Sequence, residues 1–202
     1  HIGDVLGVIH TDGSGVRMAL SRVRSVVGER LETVPSGYRI VPRDGELDAR
    51  TFEALLREAR TSGPPGRLEH LGAALALWRG DAFGELAAES WAITAAARLE
   101  QVRLGAIEDL ADALIECDEP GEAAQLLQTH AEALCYRERA VGLLMEGLAS
   151  SGRVTDALRA YQHFRSSLIE DIGIEPTESL CRLEADLLAN GGVVRIRRRS
   201  AF

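Results

Sequence analysis

A 34-residue internal repeat constrains this chain more than any other feature. Shifting the sequence by 34 positions brings Leu110 onto Leu144, Leu114 onto Leu148 and Glu122 onto Asp156. The same shift brings Ala123 onto Ala157, Ala124 onto Leu158 and Leu127 onto Tyr161. The breaks also coincide: Asp118-Glu119-Pro120-Gly121 falls against Ser151-Gly152-Arg153. Ala and Leu are common throughout this chain, so the matched breaks carry the argument more than the matched residues do. Thirty-four residues is the period of the tetratricopeptide helix-turn-helix unit, in which one helix pair stacks on the next. Small residues at Ala123 and Ala157 suit such stacking, because they let two helix axes approach closely. Only 4% of residues are aromatic, and Ala and Leu dominate, which favours helix over sheet. The fold class read from this is mainly α.

Punctuation elsewhere places further elements. Residues 2–9 read as a short apolar helix, and 10–15 as a turn. Val16, Leu20, Val23 and Val27 then form one apolar stripe at helical spacing, and Gly28 is positioned to stop that helix. Leu31 to Val34 and Tyr38 to Val41 read as two strands joined by Pro35-Ser36-Gly37, residues suited to a tight turn. Asp48 can cap a helix whose apolar face is Phe52, Leu55, Leu56 and Ala59. Ser62-Gly63-Pro64-Pro65-Gly66 reads as a break. A helix from Arg67 to Trp78, a turn at 79–84 and a long helix from about Ala88 to Cys117 follow. Thr177 is placed to cap a final helix from Glu178 to Leu188. These breaks divide the chain into 1–43, 44–190 and a basic tail, 191–202.

The charge is uneven along the chain. Net charge is −8, but residues 1–43 carry six Arg against four acids. Residues 44–194 carry 13 Arg against 27 acids, and 195–202 add four Arg. A slightly cationic N-terminal piece ahead of a strongly anionic body suggests two modules with different partners. All basic residues are Arg, the side chain suited to bidentate phosphate and guanine contacts; because the acidic part lacks Lys too, genomic codon bias is the better account of its absence.

Several function classes find no support in these residues. Cys117, Cys135 and Cys181 lie far apart and without metal-ligand spacing, which reads as three buried reduced thiols in a cytoplasmic protein. His10, His70, His130 and His163 are isolated. No phosphate-binding loop, dinucleotide fingerprint or serine elbow occurs, so no cofactor, metal or catalytic residue is assigned and the chain reads as a non-enzyme. No apolar run reaches the ~18 residues of a membrane span. Glu108-Asp109 and Glu170-Asp171 read as solvated helix faces, and Trp78 and Trp91 as core anchors.

What remains is the Arg-bearing helix and its hairpin. A helix entering the major groove needs solvent-facing donors near its N-terminal half. Arg17, Ser21 and Arg22 supply them and are assigned to base or groove contact. Arg24, Ser25, Ser36 and Arg39 are assigned to phosphate positioning. From periodicity alone, the same pattern also fits a helix-hairpin element with solvated arginines.

A resemblance weighs between these readings. ALSRVRSVVGERLETVPSGYRI (19–40) resembles the end of the winged helix-turn-helix of OmpR-type response regulators, proteins of two-component phosphorelays. ELDARTFEALL, LALWRGDAFGEL, ESW, RLEQVRLGAIEDLADAL, GEAAQLL and GRVTDALRAYQHFRSSLIEDIGIEPTESL resemble the bacterial transcriptional activator domain. The two modules in this order are similar to the SARP (Streptomyces antibiotic regulatory protein) type of regulator, over roughly residues 15–190. Family members begin with a small sheet and a first helix, whereas about 14 residues precede the helix here. The resemblance therefore implies an N-terminally incomplete winged helix followed by a tetratricopeptide-like all-α domain. It further implies transcriptional activation through double-stranded promoter DNA, with RNA polymerase contact or homodimer formation through the helical domain. Met18-Ala19 stand where relatives often carry polar residues. The alternative is a tetratricopeptide-like regulatory or scaffold module of a larger signalling protein that does not bind DNA.

Overall fold

The computed structural model describes residues 14–35, 37–43 and 45–189. The expected apolar helix at 2–9, the tail at 191–202 and Ser36 lie outside them. The chain forms two compact units that divide between Asp48 and Ala49.

In the first unit, α1 spans Ser14–Val27, so residues 14 and 15 belong to the helix and not to the turn expected there. Its stripe is graded. Leu20 is buried, Val16 and Val27 are half-buried, and Val23 stays 36% exposed. Gly28 ends the helix with φ +64°, a left-handed conformation open to glycine at little cost. A short 3₁₀ turn, Gly28–Arg30, leads into β1 (Leu31–Val34) and β2 (Gly37–Ile40). The strands pair antiparallel, with Val34 opposite Gly37 and Glu32 opposite Arg39. The loop is therefore Pro35-Ser36 alone, and Gly37 already belongs to the ladder. The Val41 amide extends the pairing by donating to the Arg30 carbonyl at 2.9 Å.

The second unit is all helix: α2 (Asp48–Thr61), α3 (Pro64–Ala76), α4 (Ile93–Glu116), α5 (Pro120–Thr129), α6 (Glu138–Ser150), α7 (Val154–Asp171) and α8 (Glu178–Ala189). From α3 to α7 each helix packs on the next, and α8 lies against α6 and α7. Two expected boundaries move. Pro64 and Pro65 open α3 instead of breaking the chain, because a proline in the first helical positions gives up an N–H that has no partner there anyway. The long helix begins at Ile93, after a 3₁₀ turn at Gly84–Leu86.

The repeat holds down to single hydrogen bonds. α4 ends at Glu116 and α6 at Ser150; α5 begins at Pro120 and α7 at Val154. Both pairs of boundaries are 34 residues apart. At the first hinge the Glu119 amide donates to the Leu114 carbonyl, and at the second the Arg153 amide donates to Leu148, each at 2.8 Å. Asp118 and Gly152 are the left-handed residues, at φ +64° and +77°. Ala123 and Ala157 are both fully buried.

Three side-chain expectations are overturned. Glu108 is buried, not solvated: it is 3% exposed and held by both arms of the Arg137 guanidinium at 2.8 Å. That hydrogen bond raises the Arg137 pKa, against the desolvation that lowers it. Trp91 is 45% exposed and packs edge-on to an exposed Phe83. Trp78, by contrast, is a true anchor, with Phe52 against its edge and the Arg103 guanidinium 4.8 Å from its ring centre. Cys135 is exposed and Cys117 and Cys181 are half-buried; all three are free thiols.

Candidate nucleic-acid interface

Arg22 projects from the side of α1 away from its apolar stripe, and Arg17 and Arg24 flank that stripe. Leu20 and Leu31 close the small core beneath it, and α1 rests on β1. Arg17, Ser21, Arg22, Arg24 and Ser25 are all exposed. Their spacing sorts them into two groups. Residues 17, 21 and 24 stand at i, i+4 and i+7 and share a face, with Ser25 at its edge. Arg22 lies five residues from Arg17, about 140° around the helix.

The first group borders an open cleft of ≈ 420 Å³ lined by Arg17, Leu20, Ser21, Arg24, Ser25 and Tyr38. The structure thus brings Arg17 and Ser21 together with Arg24 and Ser25, and leaves Arg22 off this cleft. Tyr38, which sequence reasoning passed over, supplies the hairpin wall. Its pairing with Thr33 follows once the loop is shortened to two residues.

The donors differ in availability. Arg17, Arg22 and Arg24 have no ion-pair partner among the described residues. The Ser25 hydroxyl donates to the Arg22 carbonyl at 2.7 Å, which leaves its lone pairs free and occupies its proton. Arg39 reaches across the hairpin to Glu32 at 2.6 Å. Both side chains are well exposed, so this pair is weak and open to competition from a phosphate. Ser36, assigned to the wing, lies outside the described residues.

The hairpin is braced from the far side. The Arg43 amide donates to Glu46 Oε2 at 2.9 Å, and Arg30 forms an ion pair with the same carboxylate. The backbone hydrogen bond and the two neighbouring arginines hold the Glu46 carboxyl below its usual range. Among the described residues no cluster of His, Cys, Asp or Glu could hold a metal ion, and no helix is long and apolar enough to cross a membrane.

Known proteins share the sequence and fold of this chain. Residues 47–188 match the bacterial transcriptional activator domain. The chain belongs to that family. The match takes in nearly all of the second unit, α2 to α8. Among curated relatives, the transcriptional regulator RedD of Streptomyces coelicolor is 31% identical over 87% of this chain and 54% of its own length. The regulatory protein DnrI of Streptomyces peucetius is 34% identical over 82% of this chain and 62% of its own length. Both are SARP-type regulators. The solved structure of Mycobacterium tuberculosis EmbR in complex with a low-affinity phosphopeptide superposes with a TM-score of 0.77 at 27% identity, over 88% of this chain and 51% of that one. The activator-domain chain therefore spans between half and two thirds of the length of these relatives. The RedD alignment extends beyond 47–188, so that relative shares part of the first unit as well as the helical array.

Proposed function

We propose that this chain is the DNA-reading and activating portion of a transcriptional regulator, which binds double-stranded promoter DNA through α1 and the β1–β2 hairpin. The observation that carries this is the exposed face of α1, where Arg17, Ser21 and Arg24 line one cleft and no carboxylate among the described residues neutralises the two guanidinium groups. Arg17 and Ser21 are suited to base edges; Arg22, assigned to the groove from the sequence, lies off their cleft and is placed here with Arg24, Ser36 and Arg39 at the phosphates that fix the register, where Ser25 joins them only once its hydroxyl turns from the Arg22 carbonyl. The helical domain, with its acidic excess, serves as the protein-facing half and contacts RNA polymerase or a second copy of the chain. The relatives' regulatory names support this division of labour.

The test is a salt titration of binding by the full-length protein to duplexes selected from a random pool. Wild-type affinity should fall steeply with salt. Arg22→Ala and Arg24→Ala should each flatten the log–log slope by about one without changing the selected sequence. Arg17→Ala should relax the selected sequence, at a cost of about 1–3 kcal/mol. Variants that bind and select as wild type does would overturn the assignment. Absence of wild-type binding would leave a scaffold module that works through protein contacts alone.

A further inference from the structure

We propose that Met18 is a specificity-determining residue of the DNA-reading helix, its thioether arm packing on the 5-methyl group of a thymine in the major groove. This deepens the reading that α1 binds duplex DNA, and rests on it.

The placement of Met18 follows from the helix. Counting 100° per residue, the stripe Val16, Leu20, Val23 and Val27 centres on one side of α1, and Met18 falls almost diametrically opposite. Ser21 and Arg22 stand one turn further on, to either side of it, and Ser25 lies two turns on along the same line. Met18 is 61% exposed and sits in the first half of a helix that runs from Ser14 to Val27. With so much of it in water it adds little to the small core, which Leu20 and Leu31 close. A large apolar side chain at the crest of a polar face has surface to remove from water, and a partner that covers it is favoured for that reason.

Groove chemistry names what it covers. Every base pair shows hydrogen-bonding groups in the major groove, and the one apolar group there is the thymine C5-methyl. Methionine has no donor and only a weak sulfur acceptor. Laid over the polar edge of a guanine or a cytosine, it strips water from that edge and returns no comparable hydrogen bond. Laid over a thymine, it buries two apolar surfaces together. Its unbranched arm has three rotatable bonds and adapts to where the methyl lies. The choice of base thus has an attractive and a repulsive part. Val26 is also exposed, at 82%, but it lies two turns nearer the C-terminus and about 80° round from Met18. A recognition helix reads base edges with its N-terminal residues, which leaves Val26 out of the groove.

The experiment uses the full-length protein on a duplex selected from a random pool, with each thymine replaced in turn by deoxyuridine. That exchange deletes the methyl and keeps the base pairing. Wild type should weaken about fourfold at one thymine, or at its copy in each half-site, which is the worth of one buried methyl. Met18→Ala should bind the thymine and deoxyuridine duplexes equally and cease to select thymine there. Its salt slope should match wild type, since no phosphate contact is lost. Met18→Leu should keep the discrimination, and Val26→Ala should behave as wild type. Circular dichroism should be the same for every variant. Wild-type binding that is indifferent to deoxyuridine at every position overturns this inference and leaves the DNA-binding reading standing. So does a Met18→Ala variant that still discriminates, or one that binds every duplex more weakly by the same factor. If wild type fails to bind any duplex, this inference and the DNA-binding reading fall together.

Discussion

The two helix pairs of the repeat, α4/α5 and α6/α7, have the same backbone and solve different neighbour problems with it. Positions 108 and 142 are equivalent by the 34-residue shift. In the first pair the position is Glu108, buried and clamped by Arg137 from the turn ahead of α6. In the second it is Gly142, which faces Leu180 of α8 with room for ordinary contact: an added Cβ would sit 3.6 Å from its Cδ1. One surface receives a guanidinium and the other an aliphatic side chain. Positions 113 and 147 part in the same way. Ala113 is fully buried with its methyl accommodated. A Cβ at Gly147 would meet the Pro120 carbonyl oxygen at 2.8 Å. The lesson is that the repeat dictates helix ends and hinges, whereas residue identity inside each pair answers to whichever element arrives next.

The largest effect should come from breaking the ionic version of the shared surface. Arg137→Ala leaves Glu108 buried with, among the described residues, only Arg139 within ion-pair distance, at 3.7 Å. Stripping one partner from a buried pair leaves an uncompensated charge, at a cost of about 3 kcal/mol. Urea denaturation should show a lowered midpoint with an unchanged slope. A second variant sharpens the point: Glu108→Gln with Arg137→Ala removes both charges, and should recover part of the loss. If Arg137→Ala melts like wild type, the 108/142 contrast is decorative.

Next in size is the close approach of α5 to α6. Gly147→Ala forces its methyl against backbone atoms, the Pro120 oxygen and, at 3.3 Å, the Ala124 nitrogen. Backbone cannot swing aside as a long side chain can, so the cost should be about 2 kcal/mol. Gly142→Ala is the control. Its methyl meets only a flexible leucine tip at ordinary contact distance, and the gain in helix propensity, about 0.5–1 kcal/mol, should make it neutral or stabilising. Thermal melts should therefore show a clear loss for Gly147→Ala and none for Gly142→Ala. Equal shifts would mean that the two glycines do not differ as the packing says.

The sequence made some of this legible and hid the rest for physical reasons. The helix ends around 116–120 and 150–154 were readable because breaks and small residues recur in register, and the stripe on α1 was readable from its spacing. The burial of Glu108 was not, since a carboxylate looks solvated until the guanidinium that neutralises it, 29 residues on, is brought alongside. Trp91 misled for the opposite reason: a large apolar ring says nothing about whether another element will cover it. Pro64 and Pro65 were read as a break because proline forbids helix interiors, although it also favours helix starts. Within the candidate site, exposure of Arg17, Arg22 and Arg24 followed from periodicity. The Glu32–Arg39 pair was within reach too, but only with a two-residue loop. Treating Gly37 as part of the turn misplaces that register by one.

The smallest effect tests the hinges, where the two pairs look most alike. Asp118 and Gly152 occupy the same left-handed conformation, and their flanking amides bond to equivalent carbonyls. A side chain there pays about 1–2 kcal/mol for its Cβ, less for Asp than for most residues because its short polar arm bonds locally. Gly152→Ala should therefore cost about 1 kcal/mol. Asp118→Gly removes the same strain while loosening the unfolded chain, and the two largely cancel. Its melting temperature should stay within a degree or two of wild type. Open space surrounds the Cβ direction at Gly152, so a loss there reports on backbone strain alone. A Gly152→Ala variant as stable as wild type would mean that the hinge flattens out of the left-handed region when asked to. The matched hydrogen bonds at 119 and 153 would then reflect helix stacking more than the glycine between them.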